Sequence, residues 1–464
     1  MQPYKTMDLK GKQLVILGAA RQGTALAAFA AAQGARVRLS DAREAKEFRD
    51  IQNSLKEFDI DWRFGKQEAS LLDRADILSL SGGVSPELPL VKEASLKGIS
   101  ITNDSQLFLE SVPCKVIGIT GSAGKTTTTI LIGRIMTAMM KRTKMGKVWI
   151  GGNIGNPLIS QLGKINKTDI AIMELSSFQL ELMTRSPEIA IVLNLAPNHL
   201  DRHASMADYI AAKARILDFQ EEQDRAVLSR DDVGAWALRS RTKGAVWSFG
   251  RSPIKDSQLG TFISGKDIWL QDEDGETKLM PISNIALRGE HNLSNVLAAT
   301  AVGASMGATR ADIFEGLENF TGVPHRLELV RSINDVDWYN DSIATSPQRA
   351  EASLQSFKRP IILLAGGRDK GLAWEKFGEL AASKCRAILA FGEASSLIEQ
   401  SFAPFLGTKI IFEKYSKLED ALAYAAQIAK AGEVVLLAPG GTSYDEFSDF
   451  EERGNKFAEL VGEL

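Results

Sequence analysis

Apolar residues along this chain gather in short runs that end in glycine or a polar side chain, and stretches of helical spacing separate them. QLVILG (13–18) is such a run, followed by an alanine-rich stretch at 24–32 and then by ARVRLSD (35–41). The pattern predicts strand, helix, strand, with Asp41 closing the second strand. ADILSLSGG (75–83) and GISITND (98–104) read as further strands, so residues 1–104 are expected to form a parallel α/β domain. A second block opens on CKVIGIT (114–120), continues in the helical pattern KTTTTILIGRIMTAMM, and contains two buried-strand runs with polar tails, DIAIMELSS (169–177) and IAIVLNLAPNHLD (189–201). Residues 226–283 alternate and are rich in turns, which predicts a small β region, before helical spacing returns at 291–306. The block is bounded at 105–322. Beyond GVPHR (322–326), the runs PIILLAGGRDKG, CRAILAFGE and EVVLLAPGGTSYDEF predict three more strands, each closed by glycine, in a third α/β domain at 323–464.

Ligands of parallel sheets sit at the carboxyl ends of strands, so chemistry is expected in those polar tails. The loop GITGSAGKTTT (118–128) departs from the usual phosphate-loop spacing: Ile119 stands where that spacing asks for glycine, Gly118 comes one residue early, and Gly121 is an addition. A strand, a glycine-rich turn, Lys125, Thr126 and a helix nevertheless form the right context. The amides of Gly121, Ser122, Ala123, Gly124, Lys125, Thr126 and Thr127 would cradle an anion. Lys125 would offset β/γ-phosphate charge, and the Thr126 hydroxyl would ligate Mg²⁺. GAARQG (18–23) is a weaker signal, because Ala20 replaces the middle glycine of the dinucleotide fingerprint. A nucleotide at that helix start, with Asp41 beside it, and a plain strand–helix turn both remain open.

Other polar residues follow buried runs. Glu174 could ligate the same Mg²⁺. His199 is either a structural histidine or a second metal ligand. Lys213, in a helical pattern, reads by itself as a surface lysine. Asn292 and Asn295 lie three apart on one helix face, suited to an adenine edge or to capping. Arg326 offers a cation at a domain junction, and Asp341 a carboxylate in YNDSIATSP.

Composition narrows the classes. The 464 residues carry 55 basic and 58 acidic side chains, a formal net charge of −3, so nothing favours nucleic acid or an anionic membrane as a partner. The N-terminus is charged and lacks a signal-peptide core, and no apolar run reaches the roughly 20 residues of a membrane span. Two distant cysteines, Cys114 and Cys385, exclude a disulfide framework. A cytoplasmic monomer acting on small-molecule substrates is expected.

Taken in order, GITGSAGKTTT, GGNIG (151–155), ELSSFQLE, NHLDRH, RGEHNLSN, PHR, NDSIATSP and PGGTSYDEF resemble the Mur ligases, the ATP-dependent amide-forming enzymes of peptidoglycan synthesis. ELSSFQLE and the tail SYDEFSDFEERGNKF are similar to those of the D-glutamate-adding member. The resemblance spans nearly the whole chain. It implies an N-terminal Rossmann-like UDP-binding domain, a central P-loop ATPase-type domain and a C-terminal Rossmann-like domain. It further implies that Lys125, Glu174, His199 and Lys213 are catalytic. ATP would contact the loop from Gly121 to Thr127 with Asn292, Asn295, Arg326 and Asp341. Mg²⁺, as two ions, would be held by Thr126, Glu174, His199 and a carbamylated Lys213. Gly18, Ala20, Asp41, Arg43, Asn153 and Gln179 would meet the UDP-sugar substrate, and Lys370, Ser443 and Phe450 would hold D-glutamate. Two positions depart from the pattern: Asn198 replaces an acidic residue, and Ile343 stands where some members have lysine. The implied reaction joins D-glutamate to UDP-N-acetylmuramoyl-L-alanine through an acyl phosphate. A folylpolyglutamate synthase, a nicotinamide-dependent oxidoreductase and an ATP-binding module without chemistry are the alternatives. The first lacks a reason for the N-terminal block, and the second leaves the phosphate loop unexplained.

Overall fold

Gln13–Leu17, an almost uninterrupted apolar run, becomes the central strand β1 of a parallel five-stranded sheet. The computed structural model describes residues 8–197, 202–254, 258–287, 290–405 and 410–464. In the first sheet β1 is joined by β2 (Arg36–Asp41), β3 (Ile60–Phe64), β4 (Ile77–Leu80) and β5 (Ser100–Thr102), in the order β3-β2-β1-β4-β5. The strand order reverses beside β1, so the loops after β1 and β4 face each other across a switch point.

The second sheet holds β6 (Lys115–Thr120), β7 (Val148–Gly152), β8 (Ile170–Glu174), β9 (Ile189–Val192), β10 (Arg225–Ser229), β11 (Ala245–Phe249), β12 (Leu259–Ser264), β13 (Asp267–Asp272) and β14 (Gly275–Pro281). Their order is β14-β13-β12-β11-β10-β9-β6-β8-β7, parallel from β7 to β12 and antiparallel for β13 and β14. The turn-rich stretch expected as a small β region therefore extends the same sheet. β6 lies between β8 and β9, which places its loop at a second switch point. β8 is buried along its whole length, as a strand covered on both faces must be. Helix Lys125–Thr143 covers the sheet with Leu131, Ile132, Ile135 and Met136, and ends at Lys144 in the left-handed conformation (φ 53°).

One apolar core runs without interruption from Leu14, Ile16 and Leu26 through Leu107 and Phe108 to Leu158, Val116 and Met173. Continuous burial of this kind explains why both sheets belong to one compact unit, Met1–Phe320. Polar bonds stitch the seam: Asn103 Nδ2 donates to the Gln179 carbonyl at 2.7 Å and Gln179 Nε2 to Ser105 Oγ at 2.8 Å.

The second unit, Thr321–Leu464, has a six-stranded sheet. Its strands are β15 (Glu328–Ile333), β16 (Val336–Asn340), β17 (Ile361–Gly366), β18 (Cys385–Phe391), β19 (Ile411–Tyr415) and β20 (Val434–Gly440), in the order β15-β16-β20-β17-β18-β19. All pairs are parallel except the β15–β16 hairpin. Asn334 and Asp335 form its two-residue turn with φ of 52° and 62°, the positive values a tight hairpin turn of this twist requires. Among the described residues no helix is long and apolar enough to cross a membrane.

Candidate active site

The loop after β6 is built by two glycines. Gly124 precedes helix Lys125–Thr143 at φ 83°, and a Cβ there would lie 2.2 Å from Asn295 Oδ1. Gly121, at φ 157°, passes Leu193 so closely that a Cβ would stand 2.9 Å from its Cβ. Gly118 is different. It lies inside β6, and a Cβ would strike Pro187 Cγ at 2.5 Å, so it serves sheet packing and not the phosphate loop.

The loop is clasped from the end of β9. Ala123 N donates to Asn194 Oδ1 at 2.8 Å, and Asn194 Nδ2 returns a bond to the Ala123 carbonyl at 3.0 Å. Ser122 Oγ meets the Ala196 carbonyl at 2.9 Å and the Tyr209 hydroxyl at 3.0 Å. This leaves the first-turn amides of the helix, which have no intrahelical acceptor, at the mouth of a preformed anion cradle. Thr127 lies in that first turn. Lys125 Nζ folds over the loop to the Gly121 carbonyl at 2.9 Å.

Thr126 Oγ1 donates to Glu174 Oε2 at 2.8 Å, and Asn153 Nδ2 to Glu174 Oε1 at 2.9 Å. Glu174, 2% exposed at the end of β8, makes no salt bridge to lysine or arginine among the described residues. A carboxylate beside a hydroxyl at a phosphate cradle fits a hard divalent cation that completes its shell with phosphate oxygens and water. Among the described residues no three His, Cys, Asp or Glu side chains gather as a metal cluster. His199 and Asn198 lie outside the described residues.

Lys213 is buried under the same loop, 2% exposed, on helix Met206–Asp218. Its Nζ donates to Thr120 Oγ1 at 3.1 Å and to the Gly121 carbonyl at 3.0 Å, and sits 4.8 Å from the Tyr209 ring centroid. Burial, then the Lys125 charge, push its pKa down to about 7 against the pull of Glu174. Near neutral pH the amine is therefore partly uncharged and nucleophilic. Asn295 reaches the start of helix Lys125–Thr143 from helix Glu290–Ser305: its Oδ1 accepts from Thr128 Oγ1 at 3.3 Å, and its Nδ2 donates to Asn292 Oδ1 at 3.2 Å.

Sequence reasoning missed Tyr209, Asn194 and the contacts made by Arg202 and His203 at the end of NHLDRH. His203 is buried, bonded through Nε2 to Ser177 Oγ at 2.9 Å and stacked on Phe178. Arg202 also lies over the Phe178 ring, 4.6 Å from its centroid, and donates to the Gly83 carbonyl at 3.1 Å. Gly83 follows β4, so these residues tie the first-sheet loop to the segment carrying Tyr209.

At the first switch point Gly18, φ 97°, accepts from Ser81 Oγ at 2.8 Å. A Cβ on Gly23 would meet the Gly18 carbonyl oxygen at 1.9 Å, so that glycine permits close helix–strand approach. Ala20 caps the helix start in an extended conformation. Asp41 accepts from the Ala19 amide at 2.8 Å and holds Arg43 through both carboxylate oxygens at 3.0 Å. Burial opposes its ionisation, but the Arg43 and Ala19 bonds prevail and its pKa is lowered. Gln179, 1% exposed, links Ser176 to Ser105 through its carboxamide.

In the second unit the loops after β16, β17 and β20 converge. Asp341 accepts from the Leu327 amide at 3.0 Å and from Ser353 Oγ; burial raises its pKa, against the Ser353 and Leu327 bonds and the Arg326 charge. Ser443 is 2% exposed, Lys370 Nζ lies 3.5 Å from Thr345 Oγ1, and Phe450 opens the last helix with its ring edge-on to His325. Buried Arg453 reaches from that helix to Ser342 Oγ at 3.0 Å and the Ser342 and Gly441 carbonyls at 2.9 and 3.3 Å.

Known proteins share this design. Residues 12–103 match the Mur ligase MurD-like N-terminal domain, 119–303 the Mur ligase middle domain, and 325–441 the Mur ligase, glutamate ligase domain. The chain is 36% identical over 462 residues to the UDP-N-acetylmuramoylalanine–D-glutamate ligase of Acetivibrio thermocellus, covering 98% of this chain and 97% of the relative. It is 37% identical over 459 residues to the ligase of the same name from Koribacter versatilis, covering 99% of each. Among solved structures, the UDP-N-acetylmuramate-alanine ligase MurC of Thermotoga maritima aligns with TM-score 0.53 at 17% identity, over 97% of this chain and 99% of that one. E. coli FolC in complex with ADP aligns with TM-score 0.52 at 14% identity, over 78% and 92%. At those identities the structures speak to fold, whereas the full-length sequence likeness places the chain: it belongs to the Mur ligase family.

Proposed function

We propose that this chain adds D-glutamate to UDP-N-acetylmuramoyl-L-alanine, with ATP as the source of driving force. Mur ligases form amide bonds at the expense of ATP, with Mg²⁺, on small-molecule peptidoglycan precursors. The observation that carries the reading here is the Thr126–Glu174 pair at 2.8 Å on the mouth of the Gly121–Thr127 loop, with Lys125 folded over it. The D-glutamate assignment is supported by the names of the full-length relatives.

In this reading residues 1–104 bind the UDP substrate, 105–322 bind ATP, and 323–464 bind the amino acid. The carboxylate of the UDP substrate attacks the γ-phosphorus, the bond to ADP breaks, and an acyl phosphate forms. The amine of D-glutamate then attacks that carbonyl, loses a proton, and expels phosphate. Both partners of the first step are anions, so a field of fixed positive charge must precede it. Lys125 leaves the Gly121 carbonyl to meet the transferring phosphoryl group, and the first-turn amides hold the phosphates. Mg²⁺, as two ions, would neutralise phosphate charge when bound by Thr126, Glu174, His199 and carbamylated Lys213. Asn292, Asn295, Arg326 and Asp341 orient ATP. Gly18, Ala20, Asp41, Arg43, Asn153 and Gln179 serve the UDP substrate, and Lys370, Ser443 and Phe450 the amino acid. The enzyme works as a cytoplasmic monomer.

Phosphate release in the presence of ATP, Mg²⁺, UDP-N-acetylmuramoyl-L-alanine and D-glutamate tests the proposal. Release is expected to require both acceptor and amine; release independent of either would refute it. Lys213 gives a second test. Its partly neutral amine can add to CO₂, and ¹³C-bicarbonate is expected to produce a carbamate resonance absent from Lys213→Ala. That variant should be inactive and regain activity with a short carboxylic acid. Full activity without rescue would remove the carbamate from the mechanism.

A further inference from the structure

The loop that follows β16 is ringed by positive charge on three sides. Arg453 bonds Ser342 from beneath, Arg349 Nη1 donates to the Ile343 carbonyl at 3.3 Å, and Lys370 Nζ lies 3.5 Å from Thr345 Oγ1. None of the three makes a salt bridge among the described residues; Arg349 and Arg453 spend their printed hydrogen bonds on Ser342 and on backbone carbonyls. Asp341, whose charge is felt by Arg349, is committed to Ser353 and to the Leu327 amide. Partial burial, then the charges of Arg349 and Arg453, lower the Lys370 pKa, so mutual repulsion within this group is real.

Arg349 is also badly placed for stability. It sits in the first turn of helix Pro347–Gln355, a turn with no acidic residue, where the helix dipole disfavours a cation. Exposed and in no salt bridge among the described residues, it bonds a single carbonyl and lends its charge to Asp341. It stands beside Ile343, the position at which some Mur ligases have lysine.

We propose that Arg349 determines amino-acid specificity: its guanidinium binds the side-chain carboxylate of the acidic amino acid, supplying the cation that Ile343 does not. A dicarboxylate has two anionic ends, and Lys370 and Arg349 offer two separate cations along one loop. The planar guanidinium suits a carboxylate, which it meets through two parallel N–H donors. The inference rests on the D-glutamate reading above. A phosphate oxygen of ATP is the rival anion, and kinetics separate them.

Steady-state kinetics of Arg349→Ala and Arg349→Gln are expected to show a KM for D-glutamate raised about tenfold or more, the size of one lost charge-assisted contact. The KM for ATP should stay within twofold or so, as befits a contact made to the amino acid alone. D-glutamine, which lacks the second carboxylate, should lose little or nothing in the variants. Adding Ile343→Lys to Arg349→Ala should recover most of the lost affinity. A D-glutamate KM unchanged in both variants, or a rise in the KM for ATP instead, overturns the inference. A wild-type enzyme whose phosphate release ignores D-glutamate refutes the parent reading, and is recognised before any variant is made.

Discussion

Replacing Lys125 with alanine is expected to abolish turnover, lowering kcat by at least about 10²–10³-fold, the cost of removing one preorganised electrostatic donor from a phosphoryl-transfer site. The ammonium group lies 2.9 Å from the Gly121 carbonyl and close enough to Lys213 to depress its pKa. It is the cation of the loop nearest to the place where phosphate charge would collect. Arginine should not restore activity, because its broad fork cannot occupy the position of a compact ammonium inside a glycine turn. The fold should survive the alanine change. The Asn194–Ala123 pair and the Ser122 contacts to Ala196 and Tyr209 hold the loop without the lysine side chain, and the Gly121 carbonyl that it meets keeps Lys213 Nζ at 3.0 Å. Phosphate-release assays beside thermal unfolding check both halves. Turnover within tenfold or so of wild type would contradict the assigned role, since that loss is smaller than one such donor supplies. A collapsed unfolding transition would contradict the structural half of the argument.

What the chain's pattern made legible, and what it did not, follows from distance along the sequence. β8 and β20 are buried at every position, so continuous apolar runs marked them as interior parallel strands. Thr126 and Glu174 were recognisable because a helix start and a strand end at a switch point each have local signatures. The reason for Gly118 is not local: its neighbours in sequence show only a glycine one residue early, while its constraint is Pro187, far along the chain. Tyr209 and Ser122 are 87 residues apart, and Arg453 and Ser342 are 111 apart. Nothing near Tyr209 or Arg453 in sequence announces the partner, and helical spacing reads both as ordinary helix positions. Lys213 shows the limit from the other side. By itself it looked like a surface lysine, and only its 2% exposure beneath the phosphate loop separates it from one.

Arg453 carries the largest stability effect expected in the second unit. Its side chain is fully buried, 0% exposed, and makes no salt bridge among the described residues. Burial lowers its pKa to about 10, against the pull of Asp445 and Glu446, so it stays charged at neutral pH. A buried cation without a paired carboxylate is costly by itself, and it persists only if its hydrogen bonds are well met. Here they are met by Ser342 Oγ and by the Ser342 and Gly441 carbonyls, which belong to the loops after β16 and β20. Arg453→Ala would leave those buried acceptors without their donor and open a cavity, at a cost of about 2–4 kcal/mol. Arg453→Lys should recover only part of this, because three donors on one ammonium cannot span the same acceptors as a planar fork. Because both loops also carry Ile343, Thr345 and Ser443, the alanine variant should weaken D-glutamate binding even where it remains folded. Denaturant unfolding and the D-glutamate KM, measured together, decide the point. A midpoint unchanged to within about 0.5 kcal/mol, the scatter of an ordinary surface substitution, would show that the guanidinium is not what joins these loops.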